Sequence, residues 1–258
     1  MTALREHLDA LVSRGRKLLV PYVVAGVPDR DSFADVLAAV SAPADAVELG
    51  LPFSDPLMDG PVIADAAQRA LRLGVRPVDA LESGAGVPGG TPRIAMTYYN
   101  PIHRTGEAAF CARAAAAGIS GLIVPDLPLE ESESLRAAAA AEGLAWIPLV
   151  APTSPPDRVK AITGTSTGFV YAVSTLGVTG TREQLSERAA RVVGACREAT
   201  DAPILVGIGV STPAHAVEAA ATADGVVIGT AVVRLVLEEG ATAAGAFLAE
   251  VRAALDAT

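Results

Sequence analysis

The sequence predicts an α/β protein, a (β/α)8 or TIM barrel with an extra N-terminal helix, in a single domain that spans residues 1–258. Two observations predict this fold. Short apolar runs rich in β-branched residues alternate with alanine-rich segments of helical period, which is the pattern of parallel strand–helix units. Eight such runs fit into 258 residues, and barrels of this class typically have about 250 residues.

The eight predicted strands are mostly continuous apolar runs, as expected for strands that are buried on both faces of a sheet. They occupy residues 18–25, 46–49, 93–98, 121–124, 145–150, 168–173, 203–207 and 225–228. Several of the helical segments between them follow a Ser, Thr or Asp that can cap a helix; examples are residues 61–73, 107–117, 130–141, 181–199 and 213–221. An open doubly wound sheet fits less well, because no G-x-G-x-x-G motif follows the first strand.

Composition excludes several classes of function. Hydrophobic residues make up 51% of the chain and charged residues 19%, so a large core can form and disorder is not expected. The net charge of −9, without a Lys/Arg cluster, disfavours nucleic-acid binding. No apolar run approaches the ~18 residues of a membrane span, and the first residues, MTALREHLDALVSRGRK, predict an amphipathic helix and not a signal peptide. Cys111 and Cys196 are expected to be buried thiols in a reducing compartment, so we expect a cytoplasmic protein.

In a barrel of this kind ligands bind at the carboxyl ends of the strands. The polar residues at or just after the predicted strands are therefore candidates for a site: Tyr22, Glu48, Asp59, Tyr98, Tyr99, Asn100, Asp126 and Tyr171. The last two strands end in GIGVST and IGTA. Their glycines either make tight turns or let backbone N–H groups approach an anion, and their occurrence at both of these strands favours a phosphate site formed by Gly207, Gly209, Gly229 and Thr230.

Three acidic residues lie in one segment, ELGLPFSDPLMDGP, at the end of the second predicted strand. Glu48 directly follows an apolar run with no basic residue nearby in sequence, so we expect desolvation to raise its pKa towards the range useful for proton transfer. Asp55 and Asp59 also have an ordinary explanation, because Asp favours turns beside Pro and Gly. Spacing favours that explanation for Asp55 more than for Asp59.

Other chemistries lack the residues that they need. A Schiff-base lysine should project from a strand end, but Lys17 precedes the first strand and Lys160 lies in a helical segment. The histidines show no metal-ligand spacing, so no metal site is predicted, and no G-x-S-x-G nucleophile motif occurs. Two carboxylic acids near an anion site predict acid–base chemistry on a phosphorylated substrate.

The segment VELGLPFSDPLMDGP closely resembles the signature E-x-G-x-P-F-S-D-P-x-A-D-G-P of the tryptophan synthase α subunit family. PYVVAGVPD, MTYYNPI, VPDLPLEES, STLGVTGT, VGIGVST and IGTA resemble further motifs of that family, in the same order along the chain. The family consists of (β/α)8 barrels. They cleave indole-3-glycerol phosphate to indole and glyceraldehyde 3-phosphate, which is a lyase reaction of tryptophan biosynthesis.

The resemblance implies a role for each matching residue. Glu48 matches the catalytic acid and base, and Asp59 the acid that partners the indole N–H. Tyr22 and Tyr171 match residues that line the substrate site, and the substrate-binding positions near the phosphate are Thr179, Gly180, Gly209, Gly229 and Thr230. The resemblance further implies no cofactor in this chain and a pyridoxal-phosphate-dependent β subunit as partner, in an αββα complex.

Several residues depart from the family pattern, all in or near loops: Val27, Met58, Ala64, Thr175 and Leu176. None of them replaces a catalytic residue. They leave open a stand-alone lyase that releases free indole, although drift in a biosynthetic α subunit explains them as well. A non-catalytic regulatory barrel is a further alternative, which the presence of both Glu48 and Asp59 disfavours.

Overall fold

The computed structural model describes residues 1–84, 90–173, 182–207 and 209–258. Its strands are β1 Leu18–Val24, β2 Val47–Gly50, β3 Arg93–Met96, β4 Ile119–Ile123, β5 Ala145–Trp146, β6 Leu149–Val150, β7 Val170–Val173, β8 Ile204–Gly207 and β9 Gly225–Ile228. All the pairings between these strands are parallel.

The helices follow the strands as the sequence predicts for a barrel. Their bounds are α1 Ala3–Val12, α2 Phe33–Ser41, α3 Pro61–Arg72, α4 Tyr99–Thr105, α5 Glu107–Ala116, α6 Glu133–Ala141, α7 Pro156–Thr163, α8 Arg182–Arg197, α9 Pro213–Ala220, α10 Thr230–Glu238 and α11 Ala241–Asp256, with 3₁₀ turns at Asp79–Gly84 and Leu129–Glu131. Within the described ranges, no helix is long and apolar enough to cross a membrane.

The sheet closes on itself. Its strand order is β5-β4-β3-β2-β1-β9-β8-β7-β6, and the two ends of that order, β5 and β6, are successive pieces of one stretch of chain. Ile147 N–H donates to Leu122 O at 3.0 Å on one side, and Tyr171 N–H donates to Pro148 O at 3.0 Å on the other. The eight strands predicted from the sequence are thus confirmed as a (β/α)8 barrel.

The fifth predicted strand, residues 145–150, is interrupted in the middle. Pro148 faces β7, because its O accepts from Tyr171 N–H, and it has no N–H group to donate to that strand. The pairing with β7 therefore begins only at Leu149, whereas the pairing with β4 involves Ala145 and Trp146. The interruption changes the assignment of this strand but leaves the barrel closed.

The barrel interior is filled by alternate strand side chains, because successive residues of a strand point to opposite faces. The interior cluster contains Leu18, Val20, Ala46, Ile94, Ile123, Ala145, Ile147, Phe169, Leu205 and Val227. Leu4 and Leu8 of α1 belong to the same cluster and are almost completely buried. The predicted N-terminal helix is therefore present, and it packs against the barrel interior.

A buried ion-pair cluster ties the start of β1 to the last helix. Asp45 Oδ2 accepts from Leu19 N–H at 2.8 Å and from Arg252 Nη1 at 3.1 Å, and Asp45 Oδ1 accepts from Arg16 Nε at 2.6 Å. Asp45 and Arg252 are both less than 9% exposed. This cluster lies at the amino-terminal ends of the strands, opposite the face where ligands are expected.

Candidate active site

The candidate site forms the uppermost layer of the barrel interior. Leu18 and Val20 belong to the interior cluster, and Tyr22 follows two residues later on the same strand. Ala46 directly precedes β2 and belongs to the interior cluster, and Glu48 follows it two residues later. β1 and β2 pair with Tyr22 opposite Glu48. The two-residue period that fills the barrel with apolar side chains therefore also points these two polar side chains into its carboxyl-terminal end.

Glu48 is held in an apolar environment. Its side chain is 1% exposed, and Oε1 has no hydrogen-bond partner among the residues that the structure describes. Because burial penalises the charged form, the pKa of Glu48 rises to about 8. Glu48 thus carries a proton at neutral pH and can both donate it and take one back.

Asp59 lies on the loop between β2 and α3, just before Gly60 and the helix-starting Pro61. Its N–H donates to Pro56 O at 3.1 Å, which closes a turn. Asp59 Oδ2 accepts a hydrogen bond from the Tyr98 hydroxyl at 3.1 Å. Burial raises the pKa of Asp59 to about 6, and the Tyr98 hydrogen bond opposes that increase. At pH 7 this carboxyl group is therefore mainly ionised, in contrast to Glu48.

Asp55, the third acid of the segment, has a different environment. Its carboxylate accepts from the Ser54 hydroxyl at 2.5 Å, its backbone O accepts from Leu57 N–H at 2.9 Å, and the residue is exposed. These contacts are those of a turn residue, which is the explanation that spacing favours.

Tyr98 contributes a contact that the sequence could not reveal. Its hydroxyl accepts from Met58 N–H at 2.9 Å while it donates to Asp59, and its ring stacks on Phe53 with centroids 5.1 Å apart. The position of Tyr98 at the end of the third predicted strand marked it as a candidate. Its pairing with a residue 39 positions earlier in the chain was not predicted.

Tyr22 and Tyr171 flank the two acids. Burial raises the pKa of each phenol well above its ordinary value, and the charges of Glu48 and Asp59 raise both further. Both hydroxyl groups therefore stay protonated at neutral pH and can act as hydrogen-bond donors. The structure thus brings together Tyr22, Glu48, Asp59 and Tyr171, for which the family resemblance implies catalytic or substrate-lining roles.

Two glycines make room for these phenols. A Cβ atom on Gly50 would lie 2.1 Å from the Tyr22 hydroxyl oxygen, and a Cβ atom on Gly207 would lie 2.6 Å from that of Tyr171. Distances below about 3 Å are not tolerated between such atoms. No role was predicted for Gly50, because glycine is required there by the Tyr22 side chain on a neighbouring strand.

The predicted phosphate end is described in part. Gly209 has φ +65°, a conformation that favours glycine. Gly229 precedes α10 and has no side chain with which to cap the first N–H groups of that helix, and Thr230 is the first helical residue. These features suit an anion at the helix N-terminus. Thr179 and Gly180 lie outside the described residues.

Other reactive groups lie away from these acids or are shielded. Lys17 Nζ donates to Ala223 O at 2.8 Å beside the start of β1. Cys111 and Cys196 are buried free thiols, as predicted, and burial raises the pKa of each to about 11. Within the described part of the chain, no group of three His, Cys, Asp or Glu residues could hold a metal ion.

Comparison with known proteins identifies the family. The family model described as "Tryptophan synthase alpha chain" matches residues 8–255. The tryptophan synthase alpha chain of Microcystis aeruginosa is 48% identical over 238 residues, which cover 91% of this chain and 90% of that protein. That of Rippkaea orientalis is 45% identical over 265 residues, with coverage of 99% and 98%.

Solved structures agree with the sequence comparison. A structure of Mycobacterium tuberculosis tryptophan synthase contains a chain that is 40% identical, with a TM-score of 0.90 and 98% of each chain covered. Tryptophan synthase subunit alpha from Legionella pneumophila is 30% identical, with a TM-score of 0.90 and full coverage of both chains, 100%. The chain belongs to the tryptophan synthase α chain family.

Proposed function

We propose that Glu48 and Asp59 carry out the reaction that membership of this family gives the chain, which is cleavage of indole-3-glycerol phosphate to indole and glyceraldehyde 3-phosphate in tryptophan biosynthesis. The observation that supports this assignment is a pair of acids at one end of the barrel with separated pKa values, about 8 for Glu48 and about 6 for Asp59. Between those values one acid holds a proton and the other is ionised.

The reaction needs one acid of each kind. Protonated Glu48 donates its proton to C3 of the indole ring, which makes that ring a cationic indolenine. Ionised Asp59 accepts a hydrogen bond from the ring N–H and stabilises the positive charge as it develops. General acid–base help of this kind typically contributes about 10²–10⁴-fold in rate.

The carbon–carbon bond then breaks. Glu48, now a carboxylate, takes the proton of the side-chain hydroxyl next to the ring, and that C–O bond becomes the aldehyde of glyceraldehyde 3-phosphate. The electron pair of the broken bond returns to C3 and restores the neutral indole ring. Glu48 ends the cycle protonated again, so the step consumes no other acid or base.

The remaining predicted residues hold the substrate. Tyr22 and Tyr171 line the space beside the two acids, and Gly209, Gly229 and Thr230 bind the phosphate together with Thr179 and Gly180. The α10 N-terminus at Gly229 supports an anion there. Binding energy from a phosphate remote from the reacting bond can hold the indole ring in a reactive position.

We further propose that the chain forms one domain, acts in the cytoplasm and works with a tryptophan synthase β subunit in an αββα complex. Pyridoxal phosphate then belongs to the β subunit, and this chain needs no cofactor. Leu57 is 90% exposed and Met58 51% exposed on the loop that carries Asp59, which supports a partner at that face. No observation favours a stand-alone lyase.

The direct test is release of indole from indole-3-glycerol phosphate by the purified chain, alone and with a β subunit added. We expect slow release that rises strongly with the β subunit and is about 10²–10⁴-fold slower in Glu48→Gln. Fast release that does not respond to the β subunit would show a stand-alone lyase. Without release in either condition, the proposed reaction would be wrong.

A further inference from the structure

We propose that Tyr98 is a positioning residue for this reaction, because its hydroxyl holds the Asp59 carboxylate in the orientation that meets the indole N–H. The inference rests on the proposed function, since orienting Asp59 matters to the rate only if Asp59 contacts the ring nitrogen. Tyr98 itself contacts the carboxylate and not the reacting atoms.

The hydrogen bonds of the Tyr98 hydroxyl fix its direction. A phenol has one hydrogen to donate and can also accept. Met58 N–H donates to the hydroxyl oxygen at 2.9 Å, and the hydroxyl hydrogen goes to Asp59 Oδ2 at 3.1 Å. Tyr98 therefore holds two successive residues of the loop, one by its backbone and one by its side chain. Because the hydroxyl uses only Oδ2, Asp59 Oδ1 can accept from the substrate in the proposed reaction.

The tyrosine is anchored more firmly than the loop that it holds. Tyr98 is 5% exposed and directly precedes α4, and its ring stacks on Phe53 near the start of the loop. The loop, in contrast, carries exposed Leu57 and Met58. Because burial limits movement of the Tyr98 ring, its hydroxyl can hold a carboxylate on an otherwise exposed loop in one position. Placement of catalytic groups to within less than an ångström usually requires supporting hydrogen bonds from residues that do not themselves contact the substrate.

The charges around Asp59 make the contact important. The titratable groups that act on it or share its environment are Tyr22 from β1, Glu48 from β2, Tyr98 before α4 and Tyr171 from β7, and Asp126 also acts on Tyr98. All are carboxyl or phenol groups. Burial raises the pKa of Asp59, and the Tyr98 hydrogen bond is the interaction that lowers it. Removal of that hydroxyl should therefore both release the carboxylate and raise its pKa.

The experiment compares Tyr98→Phe with Tyr99→Phe in the full chain, with a β subunit present. Tyr98→Phe keeps the stacked ring and removes the hydroxyl. Tyr99 was a candidate from the sequence, but its hydroxyl donates to Glu107 Oε1 on α5 at 2.9 Å and not to Glu48 or Asp59. Tyr99→Phe is therefore a matched control, which also removes a hydroxyl that donates to a carboxylate. We expect Tyr98→Phe to lower kcat about 10-fold, as for loss of a hydrogen bond to a charged group, with a smaller change in KM.

A pH profile separates positioning from a merely structural role. In Tyr98→Phe we expect the acid limb of kcat/KM to move to higher pH, and titration of the Asp59 carboxyl by NMR to show the same shift without substrate. In an Asp59→Asn background, Tyr98→Phe should cost far less than in the wild type, because the ionised group that it orients is gone. Tyr99→Phe should change none of these quantities.

Other outcomes would overturn the inference. If wild-type chain releases indole but Tyr98→Phe matches Tyr99→Phe in kcat, acid limb and Asp59 titration, Tyr98 does not position Asp59 and the proposed function still stands. If the wild-type chain releases no indole, the proposed function and this inference both fail. Equal losses from Tyr98→Phe with and without Asp59 would also contradict the inference, because the tyrosine would then act independently of that carboxylate.

Discussion

Glu48 and Asp59 belong to one short segment, yet their surroundings give them different protonation states. Glu48 lies on a strand inside the barrel, where its Oε1 lacks a hydrogen-bond partner among the described residues. Asp59 lies on the following loop, where a phenol donates to it. Burial raises both pKa values, and the phenol limits the increase at Asp59. The immediate environment of each residue thus determines that Glu48 is protonated and Asp59 is ionised near neutral pH.

The first prediction concerns the pH dependence of kcat/KM. Asp59 must be ionised, so activity should fall as pH decreases through about 6, and Glu48 must start protonated, so activity should fall as pH increases through about 8. Steady-state rates of indole release between pH 5 and 9 measure both limbs. In Asp59→Asn the residual activity should have no acid limb; persistence of that limb would assign it to another group.

The second prediction concerns stability. The folded-state pKa of Glu48, about 8, lies above its ordinary value of 4.5. Between those two values the folded state binds more protons than the unfolded state, so the free energy of unfolding falls as pH increases. Relative to a pH below both values, the free energy of unfolding at pH 7 is lower by roughly 3 kcal/mol. Glu48→Gln should therefore gain stability over the wild type from pH 5 to pH 8, measured by urea unfolding. A constant difference between the two proteins would contradict an ionisable, desolvated Glu48.

The third prediction concerns Gly50. In Gly50→Ala the added methyl would lie 2.1 Å from the Tyr22 hydroxyl oxygen, so the ring must shift into the proposed substrate site and kcat/KM should fall by about 10-fold or more. Gly194→Ala is the control, because nothing lies within 4 Å of its added methyl and it is in a helix. That variant should keep its activity and gain about 0.5–1 kcal/mol of stability. Unchanged kinetics in Gly50→Ala would show that Tyr22 does not need its observed position.

At the scale of elements, the strands could be predicted because they depend on the local pattern of apolar residues. Features that depend on contacts with neighbouring strands could not. The eight strands are recognisable because each is an apolar run buried on both faces. The break at Pro148 and the helix α4, which begins directly after Tyr98, were not predicted: strand three ends at Met96 and not at residue 98. Both features occur beside a proline, in short segments where neighbouring strands decide the conformation.

The site shows the same division. Glu48 could be predicted from an acid at the end of an apolar strand, and Asp59 from its position in the following loop together with the family signature. The role of Gly50 could not be predicted, because it depends on the Tyr22 hydroxyl on a neighbouring strand. The Tyr98 contact with Asp59 could not be predicted either, since it joins residues from two different strand–helix loops.

The fourth prediction concerns the ion-pair cluster that joins β1 to α11. Asp45→Ala removes the buried carboxylate of the cluster and leaves Arg252 with Asp256 Oδ1 at 2.6 Å and Lys17 O at 2.8 Å. The free energy of unfolding should therefore fall by about 3 kcal/mol, the lower end for breaking a buried ion pair. Glu187→Ala, which removes an exposed partner of Arg191 at 4.0 Å, should change it far less. Chemical denaturation measures both. A small effect of Asp45→Ala would show that solvent replaces the cluster without cost.

At the scale of the whole molecule, residues that stabilise the fold and residues proposed to catalyse the reaction lie at opposite ends of the barrel. The Asp45 cluster and helix α1 lie at the amino-terminal ends of the strands, and the two acids lie at the carboxyl-terminal ends. Barrels with this arrangement can vary their loops at one end without loss of the core. At temperatures where Asp45→Ala remains folded, we therefore expect it to retain the wild-type kcat/KM for indole release.

The central claim is that two of the three acids in ELGLPFSDPLMDGP perform the cleavage. The most direct measurement is kcat for indole release by Glu48→Gln, Asp59→Asn and Asp55→Asn at saturating indole-3-glycerol phosphate, with a β subunit present. We predict losses of about 10²–10⁴-fold for the first two variants and a rate close to the wild type for Asp55→Asn. Near wild-type turnover in Glu48→Gln or Asp59→Asn would contradict the account.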